Sequence, residues 1–237
     1  MKEVLRNIWY MACRFKTATV LNFVGLVVAF AAFYLLMTQV VYTASYNASI
    51  PDGESVFRFE AKMGAGSPWG INCNRPVNAI LADMPQVEAM TELAIWGQTR
   101  EFLVGERLRV GDGTSGMSVV EHSCVGSNLT PFGAFTARCL DGKLSWEEYS
   151  DRTVIIPASL AKKLFGRTDV AGQPLYSKTD TLTVRGVYED FPANCAFKNW
   201  VLYATRDNLE DWSEWSYTAY VKLRAGVDAE AMMAGLL

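Results

Sequence analysis

Histidine is nearly missing from this 237-residue chain, which carries only His122. Catalytic triads and many metal sites draw on that residue type, so each would have to be built around one side chain. "HSC" (His122–Cys124) places two zinc-type ligands together, but no cysteine pair has CxxC spacing and the other ligands lack zinc-site spacing. No metal site is expected. Phosphate-binding signatures are missing too. There is no GxxxxGK[ST], hence no P-loop for ATP. "GDGTSG" (Gly111–Gly116) satisfies GxGxxG as a string, yet "MSVVEHSCV" follows and reads as a strand. A dinucleotide fold needs a helix to open there, so the stretch reads as a glycine-rich hairpin or bulge. No GxSxG occurs, and Glu147-Glu148 and Glu189-Asp190 sit in polar loop contexts. Neighbouring carboxylates point apart on a strand, so paired acid–base chemistry is not expected. Nor is there a basic cluster, which excludes nucleic acid as a natural partner. No catalytic, cofactor-binding or metal residue is expected, and no cofactor.

Charge is also absent from one long stretch. "LNFVGLVVAFAAFYLLMTQVVY" (Leu21–Tyr42) contains no ionisable acid or base of the Asp, Glu, Lys or Arg kind. As a helix it would be about 33 Å long, enough for the hydrocarbon core of a bilayer. It is too long for the apolar part of a signal peptide, so a retained transmembrane helix over 18–42 is expected. Lys2, Arg6, Arg14 and Lys16 precede it, and the first basic residue after it is Arg58. That asymmetry places the N-terminus in the cytoplasm and residues 43–237 outside. Val4, Leu5, Ile8, Trp9, Ala12 and Phe15 recur at helical spacing, so residues 1–17 read as a cytoplasmic amphipathic segment lying on the membrane.

The chain has 22 basic and 25 acidic residues, of which four and one precede the apolar run. The exterior is left with 18 and 24, a mild acidic balance that favours solubility. Of five cysteines, Cys73, Cys124, Cys139 and Cys195 fall outside, where disulfides persist. Sequence cannot choose among their three pairings, and free buried thiols are an equal alternative. Trp146, Trp200, Trp212 and Trp215 could build a carbohydrate or lipid platform, although tryptophans more often serve as partly buried core. "LEDWSEWSYTAY" is the best place for an exposed aromatic pair. "NAS" (Asn47–Ser49) and "NLT" (Asn128–Thr130) match glycosylation acceptors that matter only in a eukaryotic secretory route.

Along the exterior, Ser55–Met63 alternates as a half-buried strand with Phe57, Phe59 and Ala61 on one face. Asn74–Pro85 reads as a helix capped by Asn74, with Val77, Ile80 and Leu81 inward. Strand-like runs follow at Ala89–Ile95 and Phe102–Val110, the latter with a hairpin turn at Gly105-Glu106. Asp151–Gly166 is a strand, a proline and a short helix with Leu160, Leu164 and Phe165 inward and Gly166 as C-terminal cap. Pro174–Asp190 reads as a hairpin turning at Thr179-Asp180, and Asn199–Thr205 and Ser216–Gly226 as strands. Val227–Leu237 opens a helix capped by Asp228. The class is α+β.

Several of these segments together resemble the MacB/FtsX-type ABC transporter permeases. "LNFVGLVVAF" opens the membrane helix, and "ESVFRFE", "TVIIPASLAKKLFG", "AGQPL", "LTVRGVYEDFPANC" and "YTAYVKLRAGVDAEAMM" follow in the family's order. The resemblance implies a MacB-like periplasmic core domain over 43–237. Its βαβ-type base would span approximately 53–110 and 199–237, with an inserted β-rich lobe over approximately 111–198. It implies a bacterial inner-membrane location, a separate cytoplasmic ABC ATPase subunit, the lipid bilayer and a second permease subunit as partners, and a periplasmic or outer-membrane partner. It further implies that three more membrane helices follow in the family, so that this chain represents the N-terminal part. "HSCVGSNLTPFGAFTARCLDGKLSW" (His122–Trp146) follows the family pattern poorly. The expected role is to transmit ATPase-driven motion outward, without catalysis; a single-pass anchored binding or sensory module is the alternative.

Overall fold

The computed structural model describes residues 2–62, 69–70, 72–104, 118–150, 152–177, 180–206 and 209–234. Two compact units divide the chain, Met1–Tyr46 and Asn47–Leu237. In the first, α1 (Lys2–Arg14) and α2 (Lys16–Ala44) are separated by Phe15, whose φ of −114° and ψ of 56° are not helical. The helix expected from the amphipathic spacing is therefore present, and Val4, Trp9, Tyr10 and Met11 on it are exposed.

Helix α2 has 29 residues, a mean hydropathy of 2.4 over its most apolar window, and no buried side chain. Water would not tolerate that much bare apolar surface, whereas a bilayer solvates it. Two of its hydroxyls bond inside the helix: Thr19 Oγ1 donates to the Phe15 carbonyl at 3.0 Å and Thr38 Oγ1 to the Tyr34 carbonyl at 2.8 Å. That is what hydrocarbon demands of a polar group. The chain is accordingly read as membrane-anchored.

The second unit mixes strands and short helices, as α+β requires. Its elements are β1 (Val56–Arg58), β2 (Ala61–Lys62), β3 (Trp69–Gly70), α3 (Arg75–Ala82), β4 (Val87–Val104), β5 (Ser118–Ser127), β6 (Cys139–Gly142), β7 (Thr153–Pro157), α4 (Ala158–Phe165), β8 (Pro174–Ser177), β9 (Thr181–Tyr188), β10 (Val201–Ala204), β11 (Tyr217–Leu223) and α5 (Ala229–Ala234). Among the described residues nine strands form one sheet in the order β1-β11-β4-β5-β10-β7-β9-β6. Strand β8 pairs with both β4 and β9, joining Leu103 to Tyr176 and Pro174 to Thr183. Six strands, β4-β5-β10-β7-β9-β8, thus close a ring of backbone hydrogen bonds. Closure removes the edges those strands would otherwise expose.

Successive residues of the ring strands face two different cores. Cys124, Val154, Ile156 and Val201 join α4 residues Leu160, Ala161 and Leu164 in one, while their neighbours Val125, Ile155 and Leu202 enter the other with Phe135, Trp146, Tyr188 and Phe197. This is the period-two alternation of a strand with both faces covered, and it explains the unbroken apolar run at Val154–Ile156. Helix α4 ends at Gly166, whose φ of 72° fits the expected glycine cap. Its N-terminus is capped from a distance: the Ser159 amide donates to Asp190 Oδ1 at 3.0 Å.

Three expectations need correction. The strand at Ser55–Met63 is broken after Arg58, and Phe57 is exposed because β1 is a sheet edge with β11 on one side only. The runs at Ala89–Ile95 and Phe102–Val110 are one strand up to Val104, bridged by a register irregularity between Ala94 and Gln98. Helix α3 buries Arg75, Asn78 and Leu81, leaving Ile80 exposed. Strand β6 lies within His122–Trp146, the segment that follows the family pattern poorly. The Gly105-Glu106 turn, the GDGTSG segment and Thr179 lie outside the described residues.

Candidate functional site

Helix α3 opens with the expected cap, Asn74 Oδ1 accepting from the Val77 amide at 3.0 Å. One residue later stands Arg75, a cation in the first helical turn, where the helix dipole opposes it. It stays because the sheet supplies an anion. Glu92 on β4 approaches the guanidinium at 3.4 Å, with side-chain exposures of 2% for Arg75 and 5% for Glu92. Asn78, one turn further on, donates through Nδ2 to Glu92 Oε2 and accepts at Oδ1 from the Cys73 thiol at 2.8 Å. Arg75 also donates to Thr205 Oγ1 at 2.6 Å and lies 4.4 Å from the Tyr217 ring centre. Thr205 Oγ1 in turn donates to the Ser127 carbonyl at 3.1 Å. One buried cluster therefore ties α3 to β4, β11 and the ends of β5 and β10.

Electrostatics match the burial. Desolvation lifts the Glu92 carboxyl above the usual glutamate range against the opposing pull of Arg75 and Asn78. Burial pushes the Cys73 thiol up to about 12, so it stays protonated and unreactive. The Tyr217 phenol is likewise raised by burial, with Arg75 working against the rise. The cluster holds neither an activated nucleophile nor an open face for substrate. Its chemistry is cohesion: a charge pair that fixes how a helix, a sheet and the 205–217 segment meet.

Two cavities lie at the surface of this unit. One, of about 340 Å³, is apolar and lies between β1, β11, α3 and α5, with Phe57, Phe59, Leu81, Val221, Leu223 and Met232 in its walls. The other, of about 550 Å³, is open and polar and includes Thr99, Glu121, His122 and Asn199.

The residues singled out from the sequence scatter. His122 Nε2 lies 2.6 Å from the Asn199 carbonyl oxygen and so staples β5 to the start of β10. Among the described residues no group of three metal-type ligands converges. All five cysteines are free; Cys73, Cys124 and Cys195 are buried, and Cys13 and Cys139 are exposed. Glu147 pairs with Lys143 at 2.8 Å on the surface, and Glu189 with Arg138 at 3.6 Å. The tryptophans do not form a platform: Trp146 is core, Trp200 and Trp215 are half-buried, and Trp212 alone of these is exposed. Asn47 accepts from the Ala196 amide at 2.6 Å, and Asn128 donates to the Met90 carbonyl at 3.3 Å, so both sequon asparagines serve the fold. Sequence reading overlooked Arg75 and Glu92. The usable signal was a basic residue at the positive end of a helix, which calls for a buried partner.

A search of curated proteins gives no match. Among solved structures, a domain assigned to a permease protein from Porphyromonas gingivalis shares 23% identity and a TM-score of 0.60, covering 79% of this chain and 83% of that one. The periplasmic region of MacB from Actinobacillus actinomycetemcomitans shares 16% identity and a TM-score of 0.55, covering 78% and 81%. At those identities the likeness establishes the fold. The family model for the MacB-like periplasmic core domain matches residues 19–236, starting inside α2. A match of that extent decides membership: this chain belongs to the MacB-like periplasmic core domain family, the periplasmic domains of permease-type ABC transporter proteins.

Proposed function

We propose that this chain is the N-terminal part of an ABC transporter permease subunit, and that its C-terminal unit relays ATPase-driven motion to a substrate or envelope partner. On this reading α2 crosses the bacterial inner membrane with Lys2–Lys16 in the cytoplasm and residues 43–237 in the periplasm. A separate cytoplasmic ATPase and a second permease subunit complete the machine. On this reading the outer unit divides into a base (53–110, 199–237) and an inserted lobe (111–198), and a sheet shared by strands of both spans supports their moving together.

The observation that carries the relay is how firmly the second unit holds its first residues. Asn47, at a φ of 61°, donates its amide to the Asn194 carbonyl at 2.9 Å and accepts from Ala196 at 2.6 Å. Ile50, three residues on, is 5% exposed within the aromatic core. A displacement arriving along the chain at Asn47 therefore meets packed structure at once, where a slack linker would absorb it. Affinity purification from native membranes in mild detergent should bring down a P-loop ATPase polypeptide. Recovery of the chain without any ATPase, under conditions where α2 is intact, would overturn the reading.

A further inference from the structure

We propose that the loop Leu209–Ser216 is a preformed docking knob for a lysine- or arginine-rich protein segment, with Trp212 as its anchor. The inference rests on the reading of this unit as a relay to an envelope partner, and names the surface and the partner's chemistry. Among the described residues of the unit, Trp212 is the most exposed large apolar side chain, at 57%, and Leu209 stands at 53%. An exposed tryptophan offers large contact area at small entropic loss and is the residue type most often found at interface hot spots.

The loop is held in place. The Trp212 carbonyl accepts from Asn74 Nδ2 at 3.1 Å, and Asn74 is itself fully buried as the α3 cap. Asp211 Oδ1 accepts from the Ser213 amide at 2.9 Å and its hydroxyl at 2.6 Å. At the loop's far end Tyr217 and Cys73 exchange backbone hydrogen bonds at 3.1 and 2.7 Å. Fixing the loop in advance removes much of the ordering loss that binding would otherwise carry.

Charge selects the partner. Glu210, Asp211 and Glu214 flank Trp212, and no Lys or Arg occurs from Leu209 to Val221; Arg206 is the nearest basic residue in sequence. The bonds from Ser213 hold the Asp211 carboxyl below its usual range, so it stays ionised. Acidic residues on both sides of an aromatic anchor complement a cationic segment with an apolar recess and repel an anionic lipid surface.

The test uses the full chain in phosphatidylcholine nanodiscs and a synthetic peptide of alternating Leu and Lys, with empty discs subtracted. Trp212→Ala should weaken binding about 30-fold. The triple change Glu210→Gln, Asp211→Asn, Glu214→Gln should weaken it about tenfold at low salt and much less at high salt. Glu147→Gln with Glu148→Gln, an exposed acidic pair elsewhere, should change nothing. Equal binding by all four proteins, or no peptide binding by the wild type, overturns the proposal. So does preferential binding of phosphatidylglycerol vesicles through the same loop, which would make it a lipid contact. The assay needs no ATPase: failure here leaves the relay reading standing, and loss of the ATPase leaves the knob standing.

Discussion

Removing one member of the Arg75–Glu92 pair is the sharpest test of how the C-terminal unit is held together. Glu92→Ala removes the carboxylate 3.4 Å from a guanidinium whose side chain is 2% exposed. Breaking a buried pair from one side typically costs about 3–5 kcal/mol. For a unit of this size each kcal/mol moves the melting temperature by roughly 2–4 °C, so a drop of about 6–20 °C is expected. Replacing both partners with apolar residues, Arg75→Met with Glu92→Leu, should recover most of that loss, because no buried charge is left alone. A double-mutant cycle followed by thermal melting reads the coupling directly. The pH dependence has a definite sign. Burial raises the native Glu92 pKa above the 4.5 of a free glutamate, so the folded state favours the protonated form. Its contribution is complete below that value and is lost as pH rises through the raised native pKa. The stability of wild type relative to Glu92→Gln should therefore fall as pH climbs from about 4.5. Additive single effects, or a relative stability that rises over that range, would refute the account of the cluster.

Two further outcomes follow from close contacts and from thiol exposure. A Cβ on Gly186 would lie 2.2 Å from the Lys143 carbonyl oxygen, so Gly186→Ala should destabilise by about 2 kcal/mol or more in urea unfolding. Gly166→Ala meets no atom within 4 Å and strains only a φ of 72°, so about 1 kcal/mol is expected; the reverse order would contradict the packing at β9. In intact cells a membrane-impermeant maleimide should label Cys139 and leave Cys73, Cys124 and Cys195 untouched until denaturation. Label that survives Cys139→Ser would place Cys13 outside and reverse the proposed orientation.

What the sequence disclosed follows the range of the forces involved. The caps at Asn74, Gly166 and Asp228, the Thr153–Phe165 strand and helix, and the strand at Tyr217–Leu223 are set by neighbours a few residues away, and all were legible. The inward face of α3 was not, because Arg75 and Asn78 are buried only by virtue of Glu92 on another element. Nor was ring closure: β8 is four residues long, and its pairing with β4 depends on a strand far earlier in the chain. Strand β6 is short and mostly exposed, so it lacks the apolar alternation that would have announced it. Of the site, the exposed aromatic pair expected in Leu209–Tyr220 is a single exposed residue, Trp212, with Trp215 half-buried, and the charge cluster was legible only through an ill-placed cation.

The pairing of β1 with β11 has a consequence for how the protein comes into being. Synthesis runs from the N-terminus, so Val56–Arg58 emerges long before Tyr217–Leu223, its hydrogen-bonding partner. The strand circuit waits as well, since β10 links β5 to β7 and emerges after both. Newborn β-segments must therefore travel unmated, and loops that long close slowly. Unmated strands of that kind are prone to stick to one another, and the arrival of β11 is the clasp that shuts the β1 edge.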